Sequence, residues 1–456
     1  MIWTAIAVMV CTIVVSTALL RSHRGDALGI PLVAIGTFTF LYVVQPLELI
    51  HTDTTVLFLN DWQVTKALLV PALMLVFFMW GWLSSVRTKF RENACWDPRT
   101  MWMAGFASAC VGLVLYLIYL ERSGGVAQSF SQEHAHAMDP AHNTAYIYYG
   151  PWLMLSGSVM MFLGAPKSRN QKWKALAPYG FLALNLLSAI LTGSRGPLFA
   201  VASTYFIGIS IAQRKTVSLA HAVRWLVPVG IGVLVMVGYR SVLHLGPEAT
   251  TQELPSPETA FENVAAPSEY DQEHNTASQE FLYHAAVLDT VDQTGKLDYG
   301  FQWVTFLVLN PIPKLLWTAK QYPQSPGITL ADLNEHTSLS ISGGAATGIV
   351  ADLYLRFHLL SAFFLYALGR GVRRLFVAAR TLSSPMATVG YVMLFAVSLN
   401  MFAQGFGAIF VPLGYSMVPV ALFTLATRES RRKAELRHRE LILRQVAALR
   451  GEQWSS

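Results

Sequence analysis

Hydrophobic and polar positions alternate along this chain in long blocks. Apolar runs of about 20 residues recur, the length a helix needs to cross a hydrocarbon core of roughly 30 Å. They fall at 2–20, 30–48, 64–84, 101–120, 146–165, 176–192, 197–213, 225–239, 346–368, 385–402 and 408–426. This predicts an all-α polytopic membrane protein of about eleven transmembrane helices. A transmembrane barrel would show shorter segments of alternating hydrophobicity instead. One long polar excursion interrupts the blocks, from Arg240 to the glycine-rich entry before Asp352. The chain therefore divides into a first set of spans at 1–239, a large loop at 240–345, a second set of spans at 346–427, and a tail at 428–456.

The excursion has an order of its own. Residues 247–275 are acidic, Pro-containing and free of Lys and Arg, the composition of a solvated linker. From Thr276 the pattern becomes helical. Thr276 and Gln279 form a capping box, and Phe281, Leu282, Ala285, Leu288 and Val291 share one face, which predicts an amphipathic helix over 278–294 lying on the membrane surface. Phe301 to Leu309 is apolar but too short to span, and Pro311 and Pro313 stop its continuation. It reads as a re-entrant or interfacial segment.

Composition agrees with a membrane protein: 53% of the 456 residues are hydrophobic and 13% are charged, against roughly 25% charged in soluble domains. The net charge of +6 matters through its placement and gives no reason to invoke nucleic acid. If basic loops face the cytoplasm, then 21–29, 86–100, 166–175, 214–224, 370–380 and the tail are cytoplasmic, the N-terminus is periplasmic and the large loop lies outside. The tail (RESRRKAELRHRELILRQVAALR) suits a cytoplasmic helix near anionic headgroups. Ile2 to Leu20 has no basic residues before it and Arg21 and Arg24 after it, so it reads as a retained helix rather than a secretory signal. Cys11 and Cys110 fall in apolar spans and Cys95 in a basic loop, with no pairing that suggests a disulfide framework. No glycine-rich phosphate loop and no internal repeat is visible.

Given that topology, the outer cations stand out: Arg122, Arg195, Arg240, Lys296, Lys314 and Lys320, with Arg356 about two turns into a span. Several sit at the ends of different spans, where they can converge on an anionic ligand whose tail lies in lipid. The competing reading is that each snorkels to outer-leaflet phosphates. Arg195 lies in LTGSRGPLFA, a tight turn that needs no arginine and whose glycines admit close approach of a phosphate. Asp352 and Arg356 share a helix face. They either neutralise one another or leave Arg356 facing the pocket, with Asp352 orienting it or accepting a proton. His336 is the other candidate general base, and His284 is a weaker one. His134, His136 and His142, with Glu133 and Asp139, match no standard metal spacing, so no metal site or cofactor is expected. Tyr299, Trp303 and Trp317 either stack on sugars or form an interfacial belt with Tyr322.

Three patches carry a family resemblance: LTGSRGPLFA, YGFQWVTFLVLNPIPKLLW, and SGGAATGIVADLYLRFHLLSAFFLYALGRG. Together with the span order and the single large loop, they resemble the Wzy-type oligosaccharide repeat-unit polymerases of bacterial inner membranes. Two departures stand out. Lys314 occupies a position where such proteins often carry arginine, and His358 one where they often carry glycine. The resemblance implies a GT-C-like membrane glycosyltransferase acting at the periplasmic face in O-antigen or exopolysaccharide synthesis. Such an enzyme passes a growing glycan from undecaprenyl pyrophosphate to the terminal hydroxyl of another lipid-linked repeat unit, without a metal. Arg195, Arg240, Lys314, Lys320 and Arg356 would grip the pyrophosphate, and Asp352 or His336 would serve as base. A flippase and a chain-length regulator are the implied protein partners. An O-antigen ligase, which gives the same donor to a lipid A core acceptor, is the nearest alternative. A glycan transporter is the alternative of another class, and the paired repeats it would favour are not visible.

Overall fold

The computed structural model describes residues 1–22, 29–51, 59–84, 96–122, 145–165, 172–191, 195–213, 279–309, 325–336, 347–382 and 384–427. Those residues form helices and turns with no strand among them. In chain order the main helices are α1 (Ile2–Ser22), α2 (Ile30–His51), α3 (Asp61–Leu83), α4 (Pro98–Arg122), α5 (Gly150–Gly164), α6 (Lys172–Leu191), α7 (Arg195–Ala212), α8 (Gln279–Thr294), α9 (Phe301–Leu309), α10 (Leu330–His336), α11 (Gly348–Phe357), α12 (Ser361–Arg380), α13 (Pro385–Ala396), α14 (Ser398–Gln404) and α15 (Phe406–Thr427). Six candidate spans are long and apolar enough to cross a bilayer: α1, α2, α3, α4, the 33-residue run Gly348–Arg380, and α15. Counting α13 and α14 as one span bent by 48° makes seven. The chain is a polytopic membrane protein, all-helical among the described residues.

Of the other expected spans, α5 and the Gly196–Ala212 part of α7 are shorter apolar helices, α6 has 20 residues, and 225–239 lies outside the described residues.

Local sequence accounts for the helix starts. Asn60 and Gln63 cap α3 reciprocally: the Asn60 side chain accepts from the Gln63 N–H at 2.9 Å, and the Gln63 side chain accepts from the Asn60 N–H at 2.8 Å. Prolines occupy the first turn of α5 and α13, where their missing N–H costs no helical bond. Pro197 sits likewise within the first turn of α7, which begins at Arg195. Packing then depends on backbone approach. α4 and α5 run antiparallel with glycines every seventh residue at their seam, and a Cβ on Gly157 would stand 2.5 Å from the Gly105 carbonyl oxygen. Such close crossings suit a lipid environment, where dispersion contacts replace the hydrophobic drive between helices.

α3 and the α11–α12 run lie side by side in the same direction, with Ser361 Oγ 3.8 Å from Met74 Sδ and Gly81 against the Tyr366 carbonyl. At 1.5 Å per residue the run is about 50 Å long. That exceeds the hydrocarbon thickness, and Arg370, Arg373, Arg374 and Arg380 occupy its far end. The other end, where α3 and α11 begin, is where 279–309 and 325–336 pack, and we call it the loop end.

The helix expected at 278–294 is present as α8, in a different setting. Phe281, Leu282, Ala285, Leu288 and Val291 are buried as their spacing predicts, but so are His284, Ala286, Val287 and Thr290. α8 is therefore packed inside the bundle rather than laid on its surface. Polar side chains of α2 and α3 hold it there. Gln45, which follows a π-helical turn at Phe40–Val44 in α2, accepts from the Phe281 N–H at 3.1 Å and donates to Glu280 at 2.7 Å. Gln63 donates to Asp289 at 2.6 Å.

α9 exposes Phe301, Val304, Leu307 and Val308, the surface expected of an interfacial segment. It begins after Tyr299 and Gly300, both at positive φ.

Candidate functional site

Two polar clusters meet at the loop end, on different faces of α11. The first is centred on Arg356, which is 4% exposed. Its Nη1 pairs with Asp298, and its Nη2 donates to Asp352 Oδ1 at 2.6 Å. Gln302 Oε1 lies 3.4 Å from Nη2, and the Trp303 ring covers the guanidinium at 4.7 Å from Cζ.

Each carboxylate is anchored by backbone as well. Asp298 is fully buried, accepts from the Gln302 N–H and from the Ser325 hydroxyl, and donates its own N–H to the Leu355 carbonyl at 3.1 Å. Asp352 Oδ2 accepts the Phe406 N–H at 2.8 Å. Gly405 permits that contact: its φ is +106°, and a Cβ there would stand 2.9 Å from the Asp352 Cβ.

One guanidinium lies between two buried carboxylates, with both Nη atoms engaged and Nε without a partner among the described residues. Asp352 and Arg356 neutralise one another, one of the two readings of their spacing, and Asp298 is the partner that spacing did not reveal. In this arrangement both Nη atoms of Arg356 are taken by carboxylates, so it presents no open fork to a pyrophosphate, and each Asp352 oxygen already accepts a hydrogen bond. A phosphate approaching here would meet an excess of negative charge.

The second cluster is half-exposed and draws on three elements: Lys66 of α3, Asp292 of α8, and Tyr354 and His358 at the end of α11. Lys66 Nζ pairs with Asp292 Oδ2 and donates to the Leu288 carbonyl at 2.9 Å. Tyr354 donates its hydroxyl proton to Asp292 Oδ1 at 2.7 Å. His358 Nε2 lies 3.1 Å from Asp292 Oδ1 and 2.8 Å from the Tyr354 oxygen. Burial opposes the Asp292 charge, but the hydrogen bonds from Lys66, Tyr354 and His358 outweigh it and hold the carboxyl below its usual range. The His358 and Asp292 side chains are 41% and 38% exposed, whereas that of Lys66 is 12% exposed.

The backbone marks this place too. His358 has φ 51° and ψ −137°, a conformation open mainly to glycine, and it separates α11 from the single 3₁₀ turn His358–Leu360 before α12. A residue held there costs about 1–3 kcal/mol, and such strain concentrates at functional positions.

Tyr42 and His284 form a buried pair. His284 is buried with neither ring nitrogen hydrogen-bonded among the described residues, and its ring meets Tyr42 edge-on at 4.9 Å. Burial, reinforced by nearby Lys66, pushes its pKa down to about 3, and the neighbouring backbone of Ala67 and Thr347 only partly offsets this.

The other expected residues are placed as follows. The backbone of Arg195 opens α7 at the loop end, where a Cβ on Gly196 would stand 2.7 Å from the Asn400 side chain. Asn400 is five residues before Gly405, which abuts Asp352. Trp303 is half-buried, with Arg356 on its ring and Phe357, Phe406 and Phe410 around it. Tyr299 is 72% exposed. His336 ends α10, and its side chain, like that of Arg195, lies outside the described residues. Arg240, Lys314, Trp317, Lys320 and the histidines at 134, 136 and 142 are outside them altogether. Among the described residues no group of three His, Cys, Asp or Glu side chains could hold a metal ion.

Lys66, Asp292, Asp298, Tyr354 and His358 were not anticipated. Two signals could have found three of them: a solitary lysine inside the apolar run 64–84, and Tyr354 and His358 four residues apart on one helix face. Comparison of the chain with protein-family models, curated proteins and solved structures finds no match.

Proposed function

We propose that this protein polymerises lipid-linked oligosaccharide repeat units at the periplasmic face of a bacterial inner membrane. In this reading the chain has about eleven spans in a GT-C-like arrangement. It moves a growing glycan from undecaprenyl pyrophosphate to the terminal sugar hydroxyl of a second lipid-linked unit, in O-antigen or exopolysaccharide synthesis, and a flippase and a chain-length regulator act beside it. Arg195, Arg240, Lys314 and Lys320 hold the departing pyrophosphate, which needs fixed cations as negative charge develops. Arg356 serves the site indirectly, by tying α9 to α11.

The observation that supports this reading best is the half-exposed cluster. Lys66, Asp292, Tyr354 and His358 converge from three elements at the end of the bundle where the large loop packs back onto the spans. Close by, α9 offers Val304, Leu307 and Val308 to lipid, and its Trp303 meets Phe357, the residue before His358. An acid–base cluster beside a lipid-facing helix suits a substrate with a polar head and a polyprenyl tail. A solvated anchor would have no use for it.

The test is the purified protein in liposomes supplied with lipid-linked repeat units alone. A ladder of lengthened lipid-linked chains is the expected product. Chains that form only after a lipid A core acceptor is added would make the protein a ligase, and translocation without any new glycosidic bond would make it a transporter.

A further inference from the structure

His358 combines three properties found together nowhere else among the described residues. Its imidazole is 41% exposed. It is bonded to an ionised carboxylate that is itself held by a lysine. It also sits on a backbone conformation that favours glycine.

The hydrogen bonds settle which nitrogen is free. Tyr354 spends its only hydroxyl proton on Asp292 Oδ1. Nε2 of His358, placed between that same oxygen and the Tyr354 oxygen, has two acceptors in front of it and must carry the hydrogen. The lone pair is therefore on Nδ1. A carboxylate that fixes the tautomer and orientation of an imidazole is the arrangement by which proteins make histidine an effective base. The charged and titratable groups facing it are Asp292 from α8, Lys66 from α3 through that carboxylate, and Tyr354 from its own helix.

We propose that His358 is the general base that deprotonates the acceptor sugar hydroxyl, with Asp292 as its positioning residue. This inference rests on the polymerase reading and assigns to one side chain the step that reading leaves open. The hydroxyl proton passes to Nδ1 as the hydroxyl oxygen bonds to the anomeric carbon of the donor. The bond from that carbon to the pyrophosphate oxygen breaks, and its electron pair leaves with the lipid pyrophosphate. The imidazolium then returns its proton to water. Asp292 and Lys66 keep their charges throughout.

The alternative is that His358 merely closes the end of α11 by bonding Asp292. Two variants separate these roles in the liposome assay. His358→Gln keeps a hydrogen-bond donor toward Asp292 but cannot act as a base. His358→Gly removes the side chain and suits the local φ, so it should fold at least as well as the native chain. Both are expected to slow chain lengthening about 100-fold or more, with the apparent KM for acceptor within about threefold. A folded His358→Gly protein that lengthens chains within about fivefold of the native rate overturns the proposal while leaving the polymerase reading intact. A native protein that lengthens no chains rejects the reading itself.

A second measurement is independent of variant folding: diethyl pyrocarbonate treatment with peptide-resolved mass spectrometry. Carbethoxylation of His358 should track the loss of lengthening, and full modification with unchanged rate overturns the proposal.

Discussion

The two faces of α11 carry the same kinds of side chain to different ends. On one face Arg356 is locked between Asp298 and Asp352 and roofed by Trp303, one positive charge against two negative ones, all three buried. On the other, Asp292, Lys66, Tyr354 and His358 share protons at a boundary that solvent reaches. Burial makes the difference. A charge deep in the bundle is tolerable only when its partners saturate it, and saturation removes it from chemistry. A cluster that keeps one side open pays with looser packing and keeps a lone pair available.

If this contrast is right, removing charge from the two faces should have opposite consequences. The largest stability loss should come from Arg356→Met, which strands two buried carboxylates. A cost of about 3–5 kcal/mol is expected in the unfolding of the detergent-solubilised protein. Restoring balance with Asp298→Asn in the same chain should recover part of it. An unaffected single variant would mean that the buried cluster is not structural.

A second effect of similar order concerns His284, whose buried ring nitrogens have no hydrogen-bond partner among the described residues. Its folded-state pKa of about 3 lies below the ordinary 6.5, so between those values the unfolded chain binds the extra proton. Stability is then full above pH 6.5 and falls as pH drops toward 3, by about 1.4 kcal/mol per unit and on the order of 5 kcal/mol in all. His284→Phe should flatten that slope, and an unchanged slope would remove His284 as its source.

Smaller again is Gly405→Ala. It forces a Cβ against Asp352 at a φ of +106° and should cost about 1–3 kcal/mol. Smallest in stability is Asp292→Asn. Asp292 is 38% exposed and asparagine keeps an oxygen for Lys66 to bond, so the change should stay within about 1 kcal/mol, yet chain lengthening should fall at least tenfold with KM little changed. A variant that keeps its rate would erase the distinction between the two faces.

Particular residues show how far the sequence could be read. The apolar runs announced α1 to α4, the α11–α12 run and α15 because a segment alone in a bilayer must satisfy its own backbone. That requirement is local and visible in any window of 20 residues. The spacing of Asp352 and Arg356 likewise announced their pairing, since i and i+4 are neighbours on any helix. Asp298 was hidden because it reaches Arg356 across 58 positions of chain. Asp292 was hidden for the same reason, 226 positions from Lys66. His358 was noticed only as a departure from glycine, because its torsion angles belong to the backbone's path and leave no mark in composition.

By itself, then, the chain determined that it is a helical membrane protein and where its six candidate spans lie. These follow from solvent and backbone bonding, which act residue by residue. Tertiary structure alone decided which charges are spent on one another and which stay open to solvent. It did so by carrying α8 and α9 back onto α3 and α11, because the worth of a charge depends on its partners and its burial, and neither is a property of neighbours in sequence.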